Sequence, residues 1–429
     1  MINRRRFISQ TATAALGVAA LPLLDACAGG GGNNGSDIAL AWWGGNDRVK
    51  RTTKVVKLYT APHPNVKISS QFAAWTSYWE KLNTEAAGGS LPDIVQMSVS
   101  YISDYTQRGQ LLDLSPHKAA LKLGDFDKQQ LAQGMIKGKL TGISLGANIP
   151  AMCYNSSAIS AAGLPAPAND VTWDAYPTYL SQLAKKLPHD MYALDDGSGF
   201  DGGFTVWARQ RMDDIFDDDG KIAFTENDLK DWFGYWDDLR KAKLLVPGKI
   251  EAAYAQIGTP DAEPLVKHQA AITPTWSNFV SQYQILMKDK VALERFPQGG
   301  DKAGDYVQAS QMFSVSSKTK SPKTDVDFIS YFIHNAKAVQ VLGVERGVPA
   351  PAATRDALKP TLKPYDASQI DFYNKVGPLT RARPKPLPSY SGALFDALTR
   401  ASQAIALGNE SVSGGSSKAF DEMQKAASS

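Results

Sequence analysis

Residues 37–72 read DIALAWWGGNDRVKRTTKVVKLYTAPHPNVKISSQF, and this stretch decides the fold. The opening run DIALAWW is typical of a strand. Val49, Thr53, Val56 and Tyr59 then recur at helical spacing, and a Pro-His-Pro sequence ends the helix that they define. The run NVKISSQF predicts a second strand. A strand, a helix and a strand in this order predict two parallel strands joined by a crossover helix.

The same alternation continues along the chain. SYWEKLNTEAAGG predicts a helix closed by two glycines, and PDIVQMS predicts a third strand. Repeated strand and helix units place the chain in the α/β class. Ligands of such sheets bind beyond the carboxyl ends of the strands. Those ends are WWGGN and QMSVSY, so we expect functional residues near them.

The N-terminus predicts export. Residues 1–26 combine three arginines with a short apolar run, and their order resembles a twin-arginine export signal. Leu24-Asp25-Ala26-Cys27 resembles a bacterial lipobox, in which Cys27 is lipidated. The glycine-rich residues 27–36 suit a flexible tether. We therefore expect a protein anchored by lipid to the outer face of the cytoplasmic membrane, the alternative being an ordinary cleaved signal.

Composition narrows the range of functions. The 429 residues are enough for two domains of roughly 150–200 residues each. A formal net charge of +3 argues against nucleic acid or an anionic membrane surface as the main partner. Beyond Cys27 the chain has only Cys153, so we expect no intramolecular disulfide. No later apolar run is long enough to predict a transmembrane helix.

Ten stretches in order carry a family resemblance. The stretches are IALAWWGG, HPNVKISSQF, YWEKLNTEAAGGSLPDIVQM, YTQRGQLLDLSP, GANIPAMCYN, VTWDAY, DDDGKIAF, AAITPTWSNF, ERGVPAP and SSKAFDEMQKA. With these stretches the chain resembles the extracellular solute-binding proteins of sugar-type bacterial ABC importers, the maltose-binding-protein-like family 1. No single stretch is a strong motif. The resemblance is specific because all of the stretches occur in the order that the family has.

The resemblance implies a two-lobed periplasmic-binding-protein fold of the α/β class. Each lobe is then a mostly parallel sheet flanked by helices, with the ligand cleft between the lobes. We expect the first lobe in residues 37–147 and 272–317, and the second in residues 148–271 and 318–429.

Aromatic and polar side chains at predicted strand ends indicate a sugar site. A sugar ring offers apolar faces and a rim of hydroxyls, so it needs flat aromatic side chains and hydrogen-bonding partners. Strand alternation turns only one of the paired tryptophans inward, and we expect it to be Trp43. The candidate ligand-binding residues on this reasoning are Trp43, Asn46, Trp75, Gln96, Ser98, Tyr101, Trp207, Trp276 and Asn278. The alternative for Trp75, Trp207 and Trp276 is packing in the core.

Charged residues add three further candidates. Asp195 and Asp201 lie in the glycine-rich run ALDDGSGFDGGF, where carboxylates could accept hydrogen bonds from sugar hydroxyls. The alternative is a plain solvated loop. The resemblance suggests that Arg346, in ERGVPAP, reaches the cleft, and a structural salt bridge is the equal alternative.

Motifs for other chemistry are missing from the sequence. Nucleotide, metalloprotease, serine-hydrolase and redox signatures are absent. The stretch IFDDDGKIAFTE resembles a calcium loop in spacing, but Ile215 stands where the first carboxylate is needed. We therefore expect no cofactor, no metal and no catalysis. The interpretation is a monomeric receptor that captures a saccharide, favoured to be an oligosaccharide, and delivers it to membrane permease subunits. The alternatives are a receptor for a polyol or glycerol phosphate, and an exported carbohydrate-active hydrolase with two carboxylates.

Overall fold

The structure is a computed structural model that describes residues 36–217, 219–257, 259–383 and 386–428. The predicted export signal, the tether and lipidation at Cys27 lie outside the described residues. The strands in the described part are β1 (Ser36–Trp43), β2 (Val66–Ala73), β3 (Ile94–Met97), β4 (Met135–Ile136), β5 (Lys139–Leu140), β6 (Ile143–Asn148), β7 (Pro150–Asn155), β8 (Ile272–Trp276), β9 (Val291–Glu294) and β10 (Gln308–Val315).

Helices surround these strands. They are α1 (Asn46–Thr60), α2 (Trp75–Ala87), α3 (Ile102–Gln107), α4 (Lys128–Ala132), α5 (Ser156–Ala161), α6 (Tyr176–Ala184), α7 (Asp201–Arg209), α8 (Glu226–Lys241), α9 (Gly248–Ile257), α10 (Phe279–Leu286), α11 (Pro322–His334), α12 (Ala336–Leu342), α13 (Ala352–Leu358), α14 (Pro364–Val376), α15 (Ser391–Ala406) and α16 (Val412–Ala427). Short 3₁₀ turns link several of them.

The first sheet has the strand order β2-β1-β3-β10-β6. Strand β1 pairs in parallel with β2 and β3, as the opening sequence predicts, and β10 runs antiparallel to β3 and β6. Side-chain alternation along β1 separates the paired tryptophans. Trp42 is fully buried in the layer that contains Val55 of α1 and Phe328 of α11. Trp43 lies on the opposite face with the side chains of α2.

The second sheet differs from expectation. Its three strands, in the order β8-β7-β9, pair antiparallel. Isolated parallel bridges join Tyr192 to Ala270, just before β8, and Thr172 to Gln298, shortly after β9. The two-lobed α/β fold is therefore confirmed, while this sheet departs from a mostly parallel arrangement. Strands β8 and β9 run in the same direction and are joined by α10, as in a crossover unit, and β7, which enters directly from β6 through Ile149, lies between them and runs opposite to both.

The lobe boundary after residue 317 also differs from expectation. Helix α11 contacts β1 and β10, and α12 contacts α1, so both pack against the first sheet. Their buried apolar residues, such as Phe328 and Phe332, join the core on that side. Helices α15 and α16, by contrast, contact α8.

Residues 146–150 form the crossing between the lobes. Ala147 bridges Val348, and Pro150 pairs with Trp276 at the end of β8. Ser277 fixes the same point, because its backbone N–H donates to Ile149 O and its Oγ accepts from Ile149 N. The carboxyl end of β6 and the carboxyl end of β8 therefore lie close together in space.

Cys153 is buried in the middle of β7, among Val280, Tyr283 and Met287. Burial raises the pKa of its thiol well above the usual range. Among the described residues, no helix is both long enough and apolar enough to cross a membrane.

Candidate ligand-binding cleft

An aromatic wall closes the carboxyl edge of the first sheet. Trp43 is 9% exposed and packs edge-on against Trp75, with ring centroids 5.0 Å apart. Trp79 and Tyr78 complete the cluster around the Trp43 ring. Trp75, the first residue of α2, keeps 45% of its surface exposed. Trp75 is therefore the most accessible flat surface of this wall, with Trp43 behind it.

Two side chains hold the end of β1. The backbone carbonyl of Trp43 accepts hydrogen bonds from Gln96 Nε2 at 3.1 Å and from Arg48 Nη1 at 3.0 Å. Gln96 is fully buried, and Ser98 accepts from the backbone of Ser100. The geometry assigns Gln96 a supporting position at the strand end, which its place in the sequence alone does not reveal.

Tyr101 connects the aromatic wall to the second lobe. Its ring lies 4.1 Å from that of Trp79, and a Cβ at Gly392 would lie 3.7 Å from its hydroxyl. Burial, and then the nearby Asp396 carboxylate, raise the pKa of Tyr101. Two residues further on, Ser103 donates to the Leu387 carbonyl at 2.9 Å. The segment before α15 thus contacts both lobes.

A groove of about 790 Å³ runs beside this contact. Residues from both lobes line it, among them Ser103, Gln107, Ile136 and Lys137 of the first lobe and Asp214, Phe216, Asp217, Arg383, Leu387, Pro388 and Tyr390 of the second. Its volume falls within the range of about 300–1,000 Å³ typical of small-molecule sites. Apolar, aromatic and charged groups alternate along its walls.

The second lobe contributes an aromatic corner. Trp276 meets Phe200 edge-on at 5.6 Å and Tyr306 at 6.2 Å. The Arg383 guanidinium lies 5.1 Å from the centre of the Tyr306 ring and donates to Asp214 at 2.9 Å. Among the described residues, Nε of Arg383 is buried without a hydrogen-bond partner. Arg383 is therefore a donor beside the aromatic corner and the groove.

Asp201 is the first residue of α7, next to Phe200. Burial raises the pKa of its carboxyl to about 6, although the Gly202 backbone N–H and the Arg383 charge act in the opposite direction. A carboxylate at a helix N-terminus beside an aromatic corner can accept hydrogen bonds from hydroxyl groups. Asp201 thus follows Phe200, one ring of the aromatic corner, directly in the chain.

Several amide oxygens near the crossing accept no hydrogen bond from the described residues. They are Gln96 Oε1, Asn148 Oδ1, Asn278 Oδ1 and Gln311 Oε1. Asn148 ends β6, and Asn278, two residues after Trp276, immediately precedes α10.

Other predicted residues lie elsewhere. Trp207 is buried among Phe204 and Trp232, in the core of the second lobe. Asp195 is buried and accepts from Thr273 Oγ1 at 2.7 Å, so it is not part of a solvated loop. Asn46 is exposed at the start of α1.

Arg346 has a structural position. It is 3% exposed, donates to Thr52 Oγ1 at 2.8 Å and lies 3.4 Å from the Glu345 carboxylate. Burial lowers the pKa of its guanidinium to about 9. Of the two alternatives for Arg346, the salt bridge within the protein is the one that the structure contains.

Sequence reasoning missed Phe200, Tyr306, Arg383 and Tyr390. The run TRARPKPLPSY, which carries Arg383 and Tyr390, was an available signal, because it combines prolines, arginines and an aromatic residue without helical or strand periodicity. Tyr306 and Phe200 gave no such signal, since only the fold brings them to Trp276.

Two α/β lobes, joined by short crossings and flanking a groove with aromatic and polar walls, define a two-lobed ligand-binding protein. A model of the bacterial extracellular solute-binding protein family matches residues 54–362. The chain belongs to this family.

Known proteins agree with this assignment. The lactose-binding protein of Rhizobium radiobacter is 26% identical over 230 residues, which cover 52% of this chain and 51% of that protein. The chain thus spans about half the length of this relative. A family 1 extracellular solute-binding protein from Alicyclobacillus acidocaldarius is 29% identical over 91% of this chain and 98% of that one, with a TM-score of 0.71. An oligogalacturonide-binding protein from Yersinia enterocolitica, 22% identical over 91% of this chain and 99% of its own, shares the fold with a TM-score of 0.78.

Proposed function

We propose that this protein captures a saccharide between its two lobes and delivers it to the permease subunits of an ABC importer. One observation carries the proposal: residues of both lobes line one groove, and its Arg383 lies 5.1 Å from the Tyr306 ring, which in turn contacts Trp276. Aromatic faces suit the apolar side of a sugar ring, and Asp201 and Arg383 suit its hydroxyls.

Closure of the lobes is the proposed mechanism. A ligand that contacts both lobes favours the conformation in which they are close, because only that state makes both sets of contacts. The crossing at residues 146–150 is short, which suits a hinge. In this proposal the protein acts without catalysis, as an exported monomer held to the membrane by a lipid on Cys27.

The groove volume favours an oligosaccharide over a single ring. About 790 Å³ accommodates more than one sugar unit, and the lactose-binding relative supports a ligand of at least two rings. A polyol is the second candidate, because an erythritol/L-threitol-binding protein of Mycolicibacterium smegmatis is 24% identical over 31% of this chain.

The test is a thermal-shift screen of residues 28–429 against oligosaccharides, monosaccharides and polyols, with product analysis after prolonged incubation. A ligand that binds the folded state raises the unfolding midpoint with the logarithm of its concentration. A shift with oligosaccharides and no product supports the proposal. Shortened sugars would replace it with a hydrolase, and a shift only with polyols would change the ligand class.

A further inference from the structure

Arg48 makes three contacts that join separate parts of the first lobe. Its Nη1 donates to the Trp43 carbonyl at 3.0 Å, while Nε and Nη2 both lie 2.8 Å from Glu345 Oε1. Both charged side chains are mostly buried, at 13% and 17% exposure. A single guanidinium thus bridges the end of β1 and the turn after α12.

The sequence between Trp43 and Arg48 is adapted to this bridge. Gly44 has a φ of +149°, and a Cβ there would overlap the Arg48 side chain. The arginine therefore folds back across the glycine to reach the Trp43 carbonyl. Any other residue at position 44 would both strain the backbone and displace Arg48.

Glu345 lies in a turn that packs on the interlobe crossing. Gly347 in this turn has a φ of +92°, and a Cβ there would lie 2.6 Å from both Ala147 O and Asn148 Oδ1. Ala147 and Val348 form a backbone bridge with hydrogen bonds in both directions. Burial raises the pKa of Glu345, but Arg48 and Arg346 outweigh that effect and keep the pKa below its usual value. Glu345 is therefore a charged partner fixed to the crossing.

We propose that Arg48 is a positioning residue that fixes the Trp43–Trp75 aromatic pair relative to the interlobe crossing. This inference rests on the proposed function, in which that pair contacts the ligand. Arg48 itself has no ligand contact in this arrangement. Its action passes through the Trp43 carbonyl to the Trp43 ring and, 5.0 Å away, to the exposed Trp75 ring.

Arg51 offers a matched control. It lies on the same helix and donates to the carbonyls of Val341 and Leu342, at the end of α12 next to the Glu345 turn. It also pairs with Asp47, but it has no contact with Trp43. Arg48→Gln and Arg51→Gln therefore remove the same charge from the same interface, and only the first removes a hydrogen bond from the end of β1.

The first readout is saccharide affinity by calorimetry. Coupling free energies between sites typically correspond to about 5- to 150-fold in affinity. We expect Arg48→Gln to weaken binding at least about fivefold and Arg51→Gln less than about twofold, both measured at a temperature at which each variant is fully folded, because loss of the mostly buried Arg48–Glu345 pair also lowers stability. Arg48→Lys should give an intermediate loss, because an ammonium group lacks the fork that reaches both partners. Equal affinities for the two glutamine variants would overturn the inference.

The second readout needs no ligand. In protein labelled with 5-fluorotryptophan, Arg48→Gln should shift or broaden the ¹⁹F signals of Trp43 and Trp75, which Trp43→Phe and Trp75→Phe identify. Arg51→Gln should leave both signals in place. Unchanged signals in Arg48→Gln would refute the positioning role even if no saccharide bound the wild-type protein, whereas changed signals without any binding would refute only the proposed function.

Discussion

Trp75 exposes more of its surface than the other aromatic residues of the first-lobe wall. Burying a large apolar side chain against a ligand contributes about 1.5–3 kcal/mol, which corresponds to roughly 10- to 100-fold in affinity. Trp75→Ala should therefore weaken saccharide binding by that factor while changing the melting temperature little. Phe72→Ala is the control, because Phe72 is 53% exposed but stacks on Trp42 on the other face of the sheet. Equal losses in both variants would contradict the assignment of Trp75 to the site.

Asp201 predicts a pH dependence of binding. Its buried carboxyl has a pKa of about 6, so it is mostly ionised at pH 7 and mostly protonated at pH 5. If the carboxylate accepts hydrogen bonds from sugar hydroxyls, the apparent affinity follows the ionised fraction. We expect affinity to fall about tenfold from pH 7 to pH 5.

Asp201→Asn tests this assignment, since the amide cannot ionise. The variant should bind more weakly at pH 7 and show a flat profile between pH 5 and pH 7 in calorimetry. A wild-type profile that stays flat would remove Asp201 from the site.

At this scale the sequence predicts Trp43, Trp75 and Trp276 as candidate site residues, because strand ends and aromatic composition are local signals. Arg346 and Trp207 show the limit of that reasoning. Both have a residue type suited to sugar binding, but their environment depends on packing with segments far away in the chain, such as Thr52 and Trp232. Periodicity over a few residues does not reveal such contacts.

Helix α9 is held to the second lobe near a buried group of carboxyls. Thr273 Oγ1 lies 2.7 Å from Asp195 Oδ2 and 3.0 Å from Glu263 Oε1. A hydroxyl has one hydrogen to donate, so a carboxyl proton must supply the other hydrogen bond. Burial, with repulsion from Asp195, raises the pKa values of Glu251 on α9 and of Glu263. The folded protein therefore keeps protons that the unfolded chain releases.

This group predicts that stability falls as the pH rises. Carboxyls with a raised pKa in the folded state stabilise it fully below their unfolded pKa, and that contribution is lost as the pH rises through the folded value. The pH range over which this stabilisation is lost therefore begins near pH 4.5 and extends upward. Glu263→Gln, which imitates the protonated acid, should flatten the fall in melting temperature between pH 6 and pH 9. A slope equal to that of the wild type would show that Glu263 is ionised in the folded protein.

The turn at Gly347 predicts a backbone effect. Its positive φ and the close approach to Ala147 leave no room for a Cβ. Gly347→Ala should lower the free energy of unfolding by about 1–3 kcal/mol, measured in urea. Gly89→Ala is the control, because Gly89 also has a positive φ (+67°) but no neighbour within 4 Å of an added Cβ. Equal losses would show that the φ angle alone sets the cost at position 347.

The strand-helix-strand order of the first lobe could be predicted, since its hydrophobic periods are local. The place of α11 and α12 could not. Their apolar faces would fit either lobe, and only the antiparallel return of β10 beside β3 brings them to the first sheet. The antiparallel second sheet has a similar cause, because the direction of β7 is set by its entry from β6 rather than by its own residues.

The contacts between the two lobes include the chain crossing at residues 146–150, the hydrogen bond between Ser103 and Leu387, and the approach of Tyr101 to Gly392. The hydrogen bond of Ser103 is not part of a chain crossing. A motion that opens the groove can therefore break the Ser103 contact while the crossing stays intact. Ser103→Ala should shift the equilibrium toward the open form and weaken saccharide binding, with a larger radius of gyration by small-angle X-ray scattering. An unchanged radius would place the hinge elsewhere.

The burial of Cys153 makes this motion easy to observe. Maleimides and similar reagents react with the thiolate form of cysteine. Cys153 is buried in β7 and its pKa is raised, so almost none of it is present as thiolate. In a chain that begins after Cys27, two cysteines introduced at exposed positions, one in each lobe, would take up fluorophores while the native residue stays unlabelled. The same interior position that makes Cys153 chemically silent thus leaves the protein ready for conversion into an optical sensor of its own ligand.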